Sequence, residues 1–256
     1  MTRAPVILGL VIAILPGWAR GEEVSVDFAT GVFDRLIFRP DYGFGYGRWE
    51  SRGQGLRATI PPGVTGRNAM HFDCLLQLEG DFEVTTEFVI NRLPRPRAAK
   101  DANSPRRNSI EIRLSSGGLA AEVHRSHGTS GEVFGAFGES PEGRFAAAPY
   151  PARTKSGRIG IRRVGGRLAF FRAEAGRALT EFGSTEFGTG PVSGLGIYVN
   201  PLGTVDAIDV RFKRLDITAD QLVRLEESSD LGRPLALWWA VSAAVAVAIE
   251  IGRAHV

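Results

Sequence analysis

The sequence predicts an all-β fold, a sandwich of two antiparallel sheets, and three observations carry the prediction. From Ser156 to Asp216 the chain reads SGRIGIRRVGGRLAFFRA, then GLGIYVNPLG, then AIDVRFKRLD: short alternating runs joined by glycine- or proline-bearing turns. Phe82, Val84, Thr86, Phe88 and Ile90 alternate with Glu83, Thr85 and Glu87, the period-two pattern of a strand with one buried and one wet side. Glycine supplies 32 of the 256 residues, which suits a fold of many turns, and 43% hydrophobic content is enough for a substantial core.

The elements follow in order. Val24–Phe28 is a first strand, with Val24, Val26 and Phe28 on one face, and Gly31–Arg39 is a candidate second. Asp41–Glu50 (DYGFGYGRWE) interleaves aromatics with glycines and reads as a loop. Leu56–Ile60 is a strand stopped by Pro61-Pro62-Gly63, because proline cannot donate to a ladder. Phe72–Leu78 is next, Glu79-Gly80-Asp81 is predicted to turn the chain, and Phe82–Ile90 follows. Asn91–Asn108 (NRLPRPRAAKDANSPRRN) holds too little apolar surface for a core and is predicted to be a long loop.

Ser109–Leu114 and Leu119–Val123 make a hairpin over Gly117-Gly118, with His124 on the outer phase. Gly131–Pro151 suggests two short, irregular strands. Gly165-Gly166 is a strong hairpin signal, since both residues tolerate positive φ. Asn200-Pro201-Leu202-Gly203 is a further turn. In the last strand Ile208, Val210 and Phe212 share a face while Leu215 and Ile217 take the opposite phase; a β-bulge between Phe212 and Leu215 repairs the mismatch.

The two ends read differently. Residues 1–21 have the form of a signal peptide: Arg3, the apolar run Val6–Leu15, the break at Pro16-Gly17, and small residues at Ala19 and Gly21 before Glu22. Leu235–Ile249 carries no charge, and with Glu250 and Ile251 the run spans about 25 Å as a helix. Pro234 is suited to begin that helix and Trp238 and Trp239 to sit at an interface. The expected organisation is therefore a signal peptide at 1–21, a β-sandwich domain at 22–218, a juxtamembrane linker at 219–233, a transmembrane helix at 234–251 and a cytoplasmic stub at 252–256. This implies a single-pass cell-membrane protein with its main domain extracytoplasmic.

Composition and motifs narrow the chemistry. The net charge of +3 includes Arg3 and Arg20, within or beside the expected leader, and no long basic face argues for nucleic acid. Cys74 is the single cysteine, so no internal disulfide forms, and it reads as a buried small hydrophobe. P-loop, dinucleotide, CxxC and G-x-S-x-G patterns are absent from the sequence. His124 and His127 lack an evident set of companion ligands, so no metal site and no cofactor are expected. Glu79, Asp81 and Glu83 match the spacing of glycanase carboxylates, but Gly80 and the predicted turn take them off one straight strand.

Gly80–Pro96 (GDFEVTTEFVINRLPRP), Asn108–Ser116, Arg153–Gly176 and Ala207–Asp220 resemble an uncharacterised family of exported planctomycete proteins. Its domain is similar to the concanavalin A-like lectin/glucanase superfamily in its laminin-G-like form. Over about residues 24–218 the resemblance implies a jelly-roll sandwich with the first and last strands side by side. That superfamily spans sugar binders, glycanases and adhesion domains, so fold alone does not choose among them. The expected function is a non-catalytic, membrane-anchored extracytoplasmic binding or structural module, with a polysaccharide or envelope protein as partner. The alternatives are a glycoside hydrolase with a degenerate acidic motif and a protein–protein interaction domain. Tyr42, Phe44, Tyr46 and Trp49 are the candidate aromatic contacts, and Arg92, Arg95 and Arg97 the candidate anion contacts.

Overall fold

The computed structural model describes residues 21–41, 47–51, 53–64, 70–96, 107–140, 142–201 and 206–225. The chain divides into a unit ending at Arg224 and a second from Leu225 onward, of which only Leu225 is described. The first unit is built from strands β1 (Glu22–Asp27), β2 (Phe38–Asp41), β3 (Arg48–Ser51), β4 (Leu56–Ile60), β5 (Met70–Cys74), β6 (Leu76–Arg92), β7 (Arg107–Ser116) and β8 (Leu119–Gly128). They are followed by β9 (Gly131–Ser140), β10 (Gly143–Ala146), β11 (Tyr150–Pro151), β12 (Ser156–Val164), β13 (Arg167–Glu174), β14 (Thr180–Glu186), β15 (Gly194–Pro201) and β16 (Ile208–Arg224). A 3₁₀ turn at Phe28–Thr30, capped by the Asp27 carboxylate and closed by left-handed Gly31, ends the first strand, and the expected second strand Gly31–Arg39 forms only at its end, where β2 begins at Phe38.

Every pairing is antiparallel. The first sheet runs β14-β13-β12-β6-β16-β4-β3, with β1 also on β16. The second runs β10-β9-β8-β7-β15-β5-β2, with β11 on β9. Two sheets closing over one core is the predicted architecture, and the expected neighbours at the chain ends meet: Val24 pairs with Ile217 and Val26 with Leu215. The register shift between Phe212 and Arg214 is the expected bulge; it returns Leu215 and Ile217 to the buried side.

The core follows the alternation. Phe82, Val84, Phe88 and Ile90 of β6 and Ile208, Val210 and Phe212 of β16 face Ile110, Ile112 and Leu114 of β7 and Leu195, Ile197 and Val199 of β15. Phe72 is its aromatic hub, stacked on Phe38 at 5.4 Å and edge-on to Phe28 at 5.5 Å and Phe33 at 5.1 Å.

One predicted turn is not a turn. Glu79-Gly80-Asp81 lies within the continuous 17-residue β6, and the chain instead changes sheets at Leu75, whose N–H donates to Ile37 O. Gly80 takes φ +69°, and the Asp220 carboxylate fills the space a Cβ would need while accepting from Asp81 N. The buried Arg163 donates to Gly80 O from the other side.

The expected transmembrane helix requires correction. Among the described residues no helix is long and apolar enough to cross a membrane, and the predicted segment 234–251 lies outside them. The last described stretch is strand: β16 continues six residues past the expected domain end at 218, pairing Leu222 with Leu78 and Arg224 with Leu76. The single-pass membrane localisation and the membrane partner expected from the sequence lose their basis and are set aside.

Candidate functional site

Among the described residues the sequence-predicted contacts do not converge. Tyr42, Phe44, Tyr46 and Arg97 lie outside the described residues. Trp49 is 8% exposed and turns inward, with its ring 6.0 Å from Phe72 and 6.1 Å from Phe212; it is a core residue rather than a surface platform. Arg92 is exposed and lines a cleft of about 540 Å³ on the first sheet with Arg48, Arg57 and Asn91, 3.9 Å from Asp206. Arg95 instead donates to Thr129 O, at the β8–β9 turn of the second sheet. Glu79 accepts from Gln77, and Glu83 is paired with Arg162.

The outer faces of the two sheets differ. The first carries charge pairs spread along its strands, among them Arg162–Glu83, Lys213–Glu87, Arg57–Asp209 and Arg214–Asp216. The second gathers its polar groups into two rows fixed by register. One row runs Arg39 (β2), Asp73 (β5), Gly196 (β15), Arg113 (β7) and Glu122 (β8). The next runs His71, Tyr198, Glu111 and His124 across β5, β15, β7 and β8. These residues alternate with core residues along each strand, so they stand on the side away from the core.

The rows form one network. Arg113 donates from Nε to Glu111 Oε2 at 2.6 Å and lies 3.4 Å from Glu122 Oε2. Arg107 pairs with Glu122 and comes within 3.8 Å of Glu111. Ser109 donates to Glu111, and His124 Nδ1 lies 3.2 Å from Glu122 Oε1. Toward β2, Asp73 sits 3.4 Å from His71 and 3.7 Å from Arg39. His71 stacks on Tyr198 with centroids 5.2 Å apart, and the Arg113 guanidinium lies 4.6 Å from the Tyr198 ring centroid. Two glycines make room: a Cβ at Gly196 would meet the Tyr198 ring at 2.9 Å, and one at Gly135 would meet His124 Nε2 at 2.5 Å.

Exposure varies over the face. The Arg39 side chain is 44% exposed, Arg107 28%, His71 21% and Glu111 0%. Burial by itself would raise the Glu122 pKa; the Arg107 charge, the His124 contact and Arg113 overcome it and hold the carboxyl far below the usual range. Burial, reinforced by Arg107, pushes the His124 imidazole down, so it is neutral at pH 7. The pair of glutamates on one sheet face was visible in the sequence only as alternation in IEIRL and AAEVH; nothing there showed that the two strands would bring Glu111 and Glu122 to one network.

Residues 22–235 match the family described as the Protein of unknown function (DUF1583) C domain. The chain belongs to that family. Among curated proteins, none matches it. Solved structures do. One, described under endo-acting O-glycanases that members of the human gut microbiota express to initiate mucin breakdown, is 11% identical over 77% of this chain and 99% of its own, with a TM-score of 0.56. A mutant of the GH43 protein BlXynB from Bacillus licheniformis is 12% identical, with a TM-score of 0.55 over 76% of this chain; the similarity spans only 39% of that longer protein. The CBM2 module of the evolved Dit of Lactobacillus casei BL23 phage J-1 is 10% identical over 77% of this chain and 96% of its own, with a TM-score of 0.53. At these identities the likeness shows the fold alone: a lectin-like β-sandwich of the concanavalin A type.

Proposed function

We propose that this domain is a non-catalytic, lectin-like module that binds a saccharide on the outer face of its second sheet. The observation that supports it most is the pair of register-aligned rows running from Arg39 to Glu122 and from His71 to His124. Sugar recognition calls for planar hydrogen-bonding groups at fixed positions and aromatic faces for C–H surfaces. Guanidinium, carboxylate and imidazole groups on neighbouring strands meet the first of these needs, the Tyr198 ring being buried against His71 and Arg113, and strands hold such groups more firmly than loops would. β2 ends at Asp41, which pairs with His71 at the rim of this face; Tyr42, Phe44 and Tyr46 lie outside the described residues, and their role as contacts rests on the sequence alone.

Hydrolysis is the less favoured reading. A glycosidase needs one carboxylic acid with a raised pKa to protonate the leaving oxygen. Glu122 is held the other way, ionised between two arginines. Similarity to structures described as a CBM2 module and as O-glycanases is compatible with either activity class. Export belongs to the same reading: β1 begins at Glu22, the first residue expected after signal cleavage, and N-terminal sequencing of the secreted protein should start there.

The test is a polysaccharide panel on the full chain, scored for retention and for released reducing ends. Retention without release, weakened at least tenfold by His71→Ala, is the expected result. Sugar release lost in Glu111→Gln or Glu122→Gln would replace the module with a hydrolase, and a folded protein that retains no glycan would end the saccharide reading.

A further inference from the structure

We infer that the ligand of this face is an uncharged, hydroxyl-presenting saccharide rather than an acidic one, and that the Asn200–Arg107 margin reads one of its hydroxyls. The inference rests on the binding reading above and sharpens it. Among the described residues of the network, three guanidiniums (Arg39, Arg107, Arg113) face three carboxylates (Asp73, Glu111, Glu122). The two imidazoles beside them are His71, next to Asp73, and His124, kept neutral by burial and Arg107. Among the described groups the guanidiniums and carboxylates balance one another, which gives little to attract a uronate or sulfate.

The unspent hydrogen bonds indicate which group of the sugar is read. Asn200 of β15 stands in register with Ser109 of β7, one row beyond Tyr198 and Glu111. Arg107 reaches from the end of β7 to Glu122 and to within 3.8 Å of Glu111, so its side chain crosses that row at Ser109. Asn200 Oδ1 and Arg107 Nε are both buried without a partner. One is an acceptor lacking a donor; the other is a donor lacking an acceptor. A buried group left this way is costly, so such orphans mark places where a further molecule bonds. A hydroxyl supplies both a proton and lone pairs. A carboxylate or sulfate offers acceptors alone and leaves Asn200 Oδ1 unmet. Arg107, with 28% of its side chain exposed, is where such a group enters.

The experiment compares neutral polymers (β-glucan, xylan, mannan, galactan) with acidic ones (polygalacturonate, alginate) by affinity electrophoresis and calorimetry on the full chain, at about 0.05 and about 0.5 M NaCl. The expected result is binding to a neutral polymer with affinity unchanged by salt, because screening acts on charge pairs and not on hydroxyl bonds. Asn200→Leu removes the acceptor and should weaken that binding roughly fivefold to tenfold, while the unfolding temperature holds or rises because an orphan polar atom is gone. Should Asn200→Leu fail to fold, Arg107→Lys keeps the charge, removes the Nε–H, and should lose affinity to a similar degree. Binding to acidic polymers only, with affinity falling as salt rises, would overturn the inference and leave the saccharide reading standing. Full neutral-glycan affinity in the variants would remove the assigned hydroxyl contact. Retention of neither class would end the saccharide reading itself.

Discussion

Glu122→Gln tests whether the second-sheet network is held together as described. The glutamate is 9% exposed and its carboxylate faces Arg107, Arg113 and His124. Glutamine keeps the shape and an acceptor but removes the charge, leaving Glu111 as the one carboxylate between two guanidiniums. Breaking a buried ion pair by neutralising one partner costs about 3–5 kcal/mol, because the other charge stays desolvated. At about 2–4 °C per kcal/mol for a domain of this size, the unfolding midpoint should fall by roughly 6–20 °C. Thermal unfolding followed by circular dichroism at pH 7 measures this on the full chain. Replacing both partners with apolar residues, Arg107→Met with Glu122→Leu, should recover most of the loss, since neither charge is then stranded. A fall below about 2 °C for Glu122→Gln would refute the reasoning: the carboxylate would then be solvated and the ion pairs worth no more than surface pairs.

Three further outcomes follow from the same physics. Acid should destabilise the domain in two stages: the depressed folded pKa of His124 contributes stability present above its unfolded value and lost as pH falls below about 6.5, and that of Glu122 adds a second loss below about pH 4.5, both read as a falling denaturation midpoint. Burial pushes the Cys74 thiol up to about 12, so it should resist a thiol reagent at pH 8 until the chain unfolds; the stability tied to it holds below the thiol's unfolded pKa and is lost as pH rises toward 12. Gly55→Ala should cost about 2–4 kcal/mol by denaturant titration, because φ is +125° there and the new Cβ would lie 2.4 Å from Phe212 O.

By itself the sequence determined several of the strands and their buried sides. Alternation placed β4 at Leu56–Ile60, the glycine pairs marked the β7–β8 and β12–β13 hairpins, and the phase change after Phe212 announced the bulge. These are local properties, set by side-chain period and backbone freedom within a few residues. What the tertiary structure decided was which strand lies beside which. Gly80 reads as a turn because positive φ suits turns, yet Asp220 and Arg163, both far along the chain, hold it inside a strand. Trp49 sits in a glycine-rich stretch that suggests exposure, but Phe72 and Phe212 take its ring into the core. Arg125 and Arg163 occupy inward phases that hydrophobic patterning assigns to apolar residues; Glu132 and main-chain carbonyls accept from the Arg125 terminal nitrogens, and main-chain carbonyls from Arg163. The network around Glu122 was hidden for the same reason. Period two states that Arg39, Asp73, Glu111, Glu122 and Tyr198 leave the core side of their strands; only the strand order β8-β7-β15-β5-β2, set by packing between residues far apart in the chain, brings them onto one face.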